Sequence, residues 1–232
     1  MQFNYENAVN VFTDASNLPA MNGRTTNIIC PAYIVSINGS VLEYGSKMIK
    51  SATASYGELY ALAMGVQAAT RYAYTGMPIY IYSDSEISIS ACTKWLQKWY
   101  NNGRDNFYLT KGDKNPAANQ EIVLDIVRMI CHSNVKVGFL NILGHTKNKD
   151  VISMDRFRYY FYRANHINGR VPMDHLQNMA LMNDRVDNYS REALKSICNP
   201  NHPVVNPKEQ VPGIYWYPKD EDIQLYLSLV NK

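Results

Sequence analysis

The order of its strand-like and helix-like segments constrains the fold of this chain most. Alternating or β-branched residues predict strands at Ala8–Asp14, Ala32–Ile37 and Val41–Ile49, and Asn38-Gly39 predicts a two-residue hairpin turn between the last two. Two further strands, at Ile79–Ser83 and Val135–Leu143, are separated from these by segments with helical spacing. Adjacent strands followed by strands between helices predict an α/β fold with a mixed five-stranded sheet, three antiparallel strands and then two parallel ones, flanked by helices.

Apolar residues recurring at helical spacing predict the helices. We expect the first, which Ser55 can cap, at Ser55–Ala73. The others are expected at Ile87–Tyr100, Asn119–Cys131, Asp155–His166, Met173–Met182, Asn183–Ile197 and Asp220–Val230. From Asn199 the chain is rich in Pro and Asn, which is typical of a linker. We therefore expect one domain over 1–198 with an insertion at 151–182, followed by an extension over 199–232.

Composition and targeting signals limit the classes of protein to which this chain can belong. Hydrophobic residues make up 46% of the 232 residues, so the chain can bury a core, and a net charge of +3 permits nucleic-acid binding without requiring it. The four cysteines are far apart, which indicates neither a zinc site nor a disulfide framework. The N-terminus lacks the pattern of a signal peptide, and no apolar run is long enough for a membrane span. We expect a cytoplasmic protein, in the host cytoplasm if it is viral.

Four acidic residues are placed where they can meet. Asp14 ends the first predicted strand and Asp84 the fourth, and if these strands lie side by side and parallel, both carboxylates leave the same edge of the sheet. We expect Glu58 and Asp187 each in the first turn of a helix, beside an apolar position. Four carboxylates in one crevice would repel one another without cations, and divalent ions prefer oxygen ligands. Taken singly, each acid is better explained as a turn or cap residue, but the four together at the ends of these elements favour a shared site.

The motifs around these acids resemble those of type 1 ribonucleases H. They are V-F-T-D-A-S at Val11–Ser16, T-A-S-Y-G-E-L at Thr53–Leu59, Y-S-D-S at Tyr82–Ser85, W-L-Q-K-W at Trp95–Trp99, G-H at Gly144-His145 and N-D-R-V-D at Asn183–Asp187. The resemblance covers roughly residues 8–197, and 151–182 has no counterpart in the family. The order of the motifs, more than any single one, makes the resemblance specific.

The resemblance implies a chemistry and a set of roles. It implies that Asp14, Glu58, Asp84 and Asp187 bind two Mg²⁺ ions, which Mn²⁺ can replace, and that His145 assists proton transfer or product release. The implied activity is an endonuclease that cuts the RNA strand of RNA/DNA hybrids and leaves 5′-phosphomonoesters. A solvated loop histidine is the alternative for His145.

Candidate substrate contacts lie outside the acidic set. They are Asn17, Ser55, Ser85, Arg104 and Lys111, together with Arg156, Arg158 and Arg163 of the insertion. The insertion reads R-F-R-Y-Y-F-Y-R, and basic residues between aromatic ones can bind phosphates and stack bases. An amphipathic helix packed on the domain explains the same pattern. We expect the insertion to contact nucleic acid more than the loop at Asn101–Asn119.

Three functions remain open at this point. The first is hybrid-specific ribonuclease H. The second is a nuclease of the same fold that acts on DNA, as a resolvase or exonuclease, because Ala54 has no side-chain group to recognise a 2′-hydroxyl. The third is a non-catalytic nucleic-acid-binding protein, against which the four carboxylates argue. The chain is expected to be a monomer, with the C-terminal extension available to a protein partner.

Overall fold

A mixed sheet forms the centre of the protein in a computed structural model. The structure describes residues 3–18, 27–50, 53–102, 117–144, 154–167, 169–195, 204 and 218–230. Its strands are β1 (Val9–Asn17), β2 (Ile28–Ile37), β3 (Ser40–Ser46), β4 (Ile49–Lys50), β5 (Ile79–Ser83) and β6 (Val137–Asn141).

The strand order confirms the predicted sheet. It runs β3-β2-β1-β5-β6, and β4 pairs with β2 beside β3. The β1–β2 and β2–β3 pairs are antiparallel, whereas β1–β5 and β5–β6 are parallel. Asn38 and Gly39 both have positive φ, as the predicted hairpin turn requires.

The predicted third strand, Val41–Ile49, is divided into β3 and β4. The carbonyl of Pro31 in β2 accepts a hydrogen bond from the Lys47 N–H at 3.1 Å. Proline has no N–H to return, so the ladder on this side of β2 is interrupted there. Pairing resumes where Ile29 meets Ile49.

The helices of the described residues surround this sheet. They are α1 (Ala54–Thr70), α2 (Glu86–Ser90), α3 (Leu96–Asn102), α4 (Gln120–Ser133), α5 (Met154–Asn165), α6 (Met173–Lys195) and α7 (Asp220–Leu229). The predicted helix Ile87–Tyr100 corresponds to α2 and α3 with a π-helical segment, Ala91–Trp95, between them. None of these helices is long and apolar enough to cross a membrane.

Two predicted helix boundaries were wrong. Thr53, not Ser55, caps α1, because its side chain accepts a hydrogen bond from the Tyr56 N–H at 3.2 Å. The predicted pair of helices Met173–Met182 and Asn183–Ile197 is the single helix α6. Asn183, where the second predicted helix begins, is a buried residue within α6.

The two faces of the sheet bury separate apolar clusters. Val9, Val11 and Ile81 point to the face that packs against α1, α4 and α7. Phe12 and Tyr82, which alternate with them, point to the opposite face and pack against α5 and α6. Alternation along each strand thus sets one helical layer on each side of the sheet.

The helix α7 belongs to the larger of these clusters. Ile223, Tyr226 and Leu229 are buried in it, and Val230 forms a parallel bridge with Val137 of β6. The Tyr226 hydroxyl donates a hydrogen bond to the Cys92 carbonyl at 2.6 Å. The expectation that residues after 198 form a mere extension therefore has to be revised for this helix. The boundary itself stays a prediction, since residues 196–203 lie outside the described part.

Candidate active site

Two carboxylates leave the sheet at the same edge because β1 and β5 run parallel. Their pairing ends where Phe12 meets Tyr82, and Asp14 and Asp84 each follow two residues later. The sequence suggested that Asp14 ends its strand, and this is wrong. The strand continues to Asn17 through its pairing with β2.

Glu58 reaches this edge because α1 packs very close to the sheet. A Cβ atom added at Gly57 would lie 2.4 Å from Ile29 Cγ2, and one at Gly65 would lie 2.8 Å from Thr13 Cγ2. Only glycine permits so close an approach of a helix to strands at these two positions. Glu58 lies one residue after the first of these contacts, beyond the first helical turn in which we expected it.

The site consists of three converging acids and a fourth beside them. One carboxylate oxygen from each of Asp14, Glu58 and Asp84 lies within 4.8 Å of the other two. Asp187 lines the same cavity of about 590 Å³. It stands in the C-terminal half of α6, and not in a first helical turn as predicted, because α6 begins much earlier.

Burial and mutual repulsion change the acidity of this cluster. Burial, then the charges of Asp84 and Asp187, raises the pKa of Asp14 to about 7, although the Ala15 N–H donates to Asp14 Oδ1 at 2.8 Å. Burial and the charges of Asp14 and Asp84 raise the pKa of Glu58 well above its usual value. Without a cation, the folded protein therefore disfavours the fully ionised cluster.

An unsatisfied oxygen indicates what the cluster fits. Glu58 Oε2 is buried and has no hydrogen-bond partner among the described residues. A buried acceptor without a donor is costly, and a divalent cation would satisfy it together with the neighbouring carboxylates. The donor set consists of hard oxygen atoms, which suits Mg²⁺ or Mn²⁺ better than softer metals.

Cations that the sequence analysis missed border the same cavity. Arg191 Nε lies 2.7 Å from Asp187 Oδ1, and Lys195 also lines the cavity. The i,i+4 spacing of Asp187 and Arg191 was the available signal. Gly144 was missed as well. A Cβ added there would lie 1.8 Å from Asp84 Oδ2, so any side chain would displace this acid.

The predicted substrate contacts are distributed unevenly around the acids. Asn17 lines the metal cavity. Ser55 is half-buried in the first turn of α1, and Ser85 caps α2, where its side chain accepts from the Ser88 N–H at 3.4 Å. His145, Arg104 and Lys111 lie outside the described residues.

The three insertion arginines are all exposed on α5, but they face different surroundings. Phe157 and Phe161 anchor this helix in the core. Arg158 pairs with Asp155 on its own helix at 3.1 Å. Arg163 lines a second cavity that begins beside Asp84, whereas Arg156 does not. Of the three, Arg163 alone is among the residues that line this second cavity.

Comparison with known proteins identifies the family. The sequence profile of the RNase H family matches residues 6–157, which contain Asp14, Glu58 and Asp84. The chain belongs to the RNase H family.

Similar proteins include two curated ribonucleases H. Those of Tropheryma whipplei strains Twist and TW08/27 are each 32% identical over 104 residues, which is 44% of this chain. The matched region spans only 60% of the length of these relatives. The native protease-reverse transcriptase of Prototype Foamy Virus aligns with a TM-score of 0.50 and 16% identity over 74% of this chain and 22% of the viral one, a likeness in fold.

Proposed function

We propose that this member of the RNase H family is a metal-dependent endonuclease that hydrolyses the RNA strand of RNA/DNA hybrids. The convergence of Asp14, Glu58 and Asp84 within 4.8 Å, with Asp187 on the same cavity, carries the proposal. Curated relatives that match part of this chain bear the name ribonuclease H, which supports the same reaction.

The four carboxylates would hold two Mg²⁺ ions, which Mn²⁺ can replace. When bound, such ions activate water and stabilise the leaving oxygen of a phosphodiester. The chain itself holds the acids at fixed positions on β1, α1, β5 and α6. Arg191 orients Asp187 through their ion pair, and Gly144 leaves the space that Asp84 occupies. His145, which follows this glycine, is proposed to assist proton transfer or product release.

The choice of nucleic acid is the part of the proposal that most needs a test. Ala54 is exposed at the start of α1 and offers no side-chain hydrogen bond to a 2′-hydroxyl, while the neighbouring Ser55 can offer one. Ala54 therefore favours a second candidate function, a nuclease of the same fold that cuts DNA.

A cleavage assay separates these functions. The purified protein is incubated with labelled RNA/DNA hybrid, duplex DNA, duplex RNA and a four-way junction, with Mg²⁺, with Mn²⁺ and with EDTA. We expect internal cuts in the RNA strand of the hybrid alone, dependent on metal, with 5′-phosphate ends. Cleavage of DNA or of the junction would support the second candidate. Folded protein that binds but cuts nothing would indicate a non-catalytic member of the family.

A further inference from the structure

A second cavity of about 620 Å³ opens beside the acidic site. Its walls come from α2 and the π-helical segment on one side, from the end of α5 on another, and from β6 and α7 at its base. Phe139 and Tyr226 contribute to an apolar base, while Thr93 and Asn165 add polar groups. The proposed hydrolysis uses none of these residues.

The charges around this cavity have the opposite sign to those of the metal site. Arg163 and Lys94 line it from opposite walls, and Glu86 is the single carboxylate among its described lining residues. Both cations are exposed, and neither has a carboxylate within ion-pair distance in the part of the chain that the structure describes. His166 also lines the cavity and can add positive charge when protonated. The balance favours an anion.

The cavity lies near the metal site, at the ends of β5 and β6. Glu86 follows Asp84 by two residues. Asn141 lines the cavity and donates a hydrogen bond from Nδ2 to the Ser83 carbonyl at 3.3 Å, immediately before Asp84. The Tyr160 hydroxyl donates to Asn141 Oδ1 from the opposite wall. Burial, and then the charges of Glu86 and Asp84, raises the pKa of Tyr160, which lines this cavity, so the cavity lies close to the carboxylates.

The wall that carries Arg163 is fixed to the sheet. Asn165 Oδ1 accepts from the Asn141 N–H at 2.7 Å, and Asn165 Nδ2 donates to the Asn141 carbonyl at 2.8 Å. The Asn165 side chain thus forms the two hydrogen bonds with Asn141 that a neighbouring strand would form at the edge of β6. Together with the buried Phe157 and Phe161, it holds the end of α5 in place, so the backbone that carries Arg163 is fixed before any ligand binds.

We propose that this cavity binds a backbone phosphate of the nucleic acid next to the metal site, with Arg163 and Lys94 as its cationic ligands. The inference rests on the proposed nuclease function and adds to it the place where a substrate phosphate binds. Among the three insertion arginines, Arg163 is the one that contacts substrate, whereas Arg158 pairs with Asp155 at the far end of the helix. Guanidinium and ammonium groups both bind phosphate oxygens through charge-assisted hydrogen bonds.

Affinity for a labelled RNA/DNA hybrid, measured across a salt series, tests the proposal. The measurements use an Asp14→Asn background so that the strand stays uncut. Arg163→Ala should weaken binding about tenfold, the usual effect of one charge-assisted contact, and lower the salt-dependence slope by about one. Lys94→Ala should act in the same direction. Arg158→Ala, the matched control on the same helix, should weaken binding less than about twofold.

Two further variants test the sign of the charge and the role of position. Glu86→Gln should strengthen binding, because it removes the carboxylate from an anion site. Arg163→Lys should keep most of the salt dependence, because it keeps the charge. In the active protein, which keeps Asp14, Arg163→Ala should raise KM while kcat stays nearly constant. This is expected for a group that binds substrate without taking part in the chemistry.

The outcomes separate this inference from the proposed function. If the parent protein binds no hybrid, duplex DNA or junction, the nuclease function fails. If it binds the hybrid but Arg163→Ala and Arg158→Ala weaken binding equally, or Glu86→Gln weakens it, the phosphate site is overturned while the function stands. Thermal melting of each variant shows that it is folded, which is expected because all the replaced side chains are exposed or half-exposed.

Discussion

Two cavities of nearly equal volume, about 590 and 620 Å³, lie side by side at the carboxyl end of β5, and their charges are opposite. The first gathers Asp14, Glu58, Asp84 and Asp187 on elements of the core. The second places Arg163 and Lys94 on facing helices. One sheet edge thus carries an acidic cavity next to a cavity lined by two cations, an arrangement that suits the proposed binding of metal ions and of a substrate phosphate.

The cavities also differ in their relation to the family. Three of the four carboxylates lie within residues 6–157, the region that the family profile matches. The wall of the second cavity formed by Tyr160–His166 and the base formed by Tyr226–Val230 lie beyond it. Most of the carboxylates of the first cavity thus lie in the region that the family profile matches, whereas part of the second cavity lies outside it.

The largest effect is expected from an acid of the first cavity. Asp14→Asn should reduce hybrid cleavage by at least about 10³-fold, because a ligand common to the metal positions is lost while apolar packing is untouched. Steady-state cleavage at saturating Mg²⁺ measures this loss. Asp125→Asn, which removes an exposed carboxylate on α4, is the control. Full activity in folded Asp14→Asn protein would contradict the metal-site assignment.

The next effect concerns the base of the second cavity. Tyr226→Ala should lower the free energy of unfolding by about 3–5 kcal/mol, because a fully buried ring and its hydrogen bond to the Cys92 carbonyl are lost. Urea unfolding measures the change. Leu225→Ala, on the exposed side of the same helix, should cost less than about 1 kcal/mol. Equal and small losses would mean that α7 contributes little to the stability of the core.

A smaller effect is expected for the histidine that follows Gly144. If His145 assists without holding an ion, His145→Ala should slow turnover by about 10²-fold or less. Single-turnover cleavage of the hybrid measures the rate, with His132→Ala on α4 as the control. Complete inactivity would give this residue a more central role than an assisting one. An unchanged rate would support the alternative of a solvated loop histidine.

The smallest effect is on stability and distinguishes the two cavities without any substrate. The pKa of Asp14 is raised from 3.8 to about 7 in the folded protein, so its ionised form is less stable there than in the unfolded chain. This penalty is absent below about pH 4 and complete above about pH 7. In EDTA, Asp14→Asn should therefore raise Tm by a few degrees at about pH 8 and by almost nothing at about pH 4.

Controls make the pH prediction specific. Asp125→Asn should show no such gain at either pH. Added Mg²⁺ should raise Tm of the Asp14 protein at about pH 8, because a ligand that binds only the folded state stabilises it. If Asp14→Asn destabilised the protein equally at both pH values, repulsion within the first cavity would not be the cause.

Local patterns predicted most of the fold. Strand alternation and the Asn38-Gly39 turn predicted the strands and the hairpin, since each depends on neighbouring residues alone. The boundaries that failed depend on tertiary structure. Asn183 begins the second of two predicted helices, yet it is buried within the single helix α6. The division of β3 from β4 follows from Pro31 on the neighbouring strand, which no pattern within 41–49 reveals.

The acidic site was accessible to sequence reasoning in a way that the second cavity was not. Asp14, Glu58 and Asp84 stand in motifs at element ends, so their convergence follows from the strand order. Arg163 was one of three similar arginines, and only the Asn165–Asn141 hydrogen bonds and the orientation of α5 distinguish it. Such a distinction depends on contacts between distant parts of the chain.

The packing of α7 has a consequence for synthesis. Tyr226 closes a hydrogen bond with Cys92 across 134 residues, and Val230 pairs with Val137. While the ribosome is still translating, the apolar surface that α7 covers on α4 and β6 stays open until residue 230 has left the exit tunnel. Between the synthesis of β6 and the release of Val230, the nascent chain therefore exposes this apolar surface, and a stall upstream of Asp220 would prolong the exposure and favour aggregation.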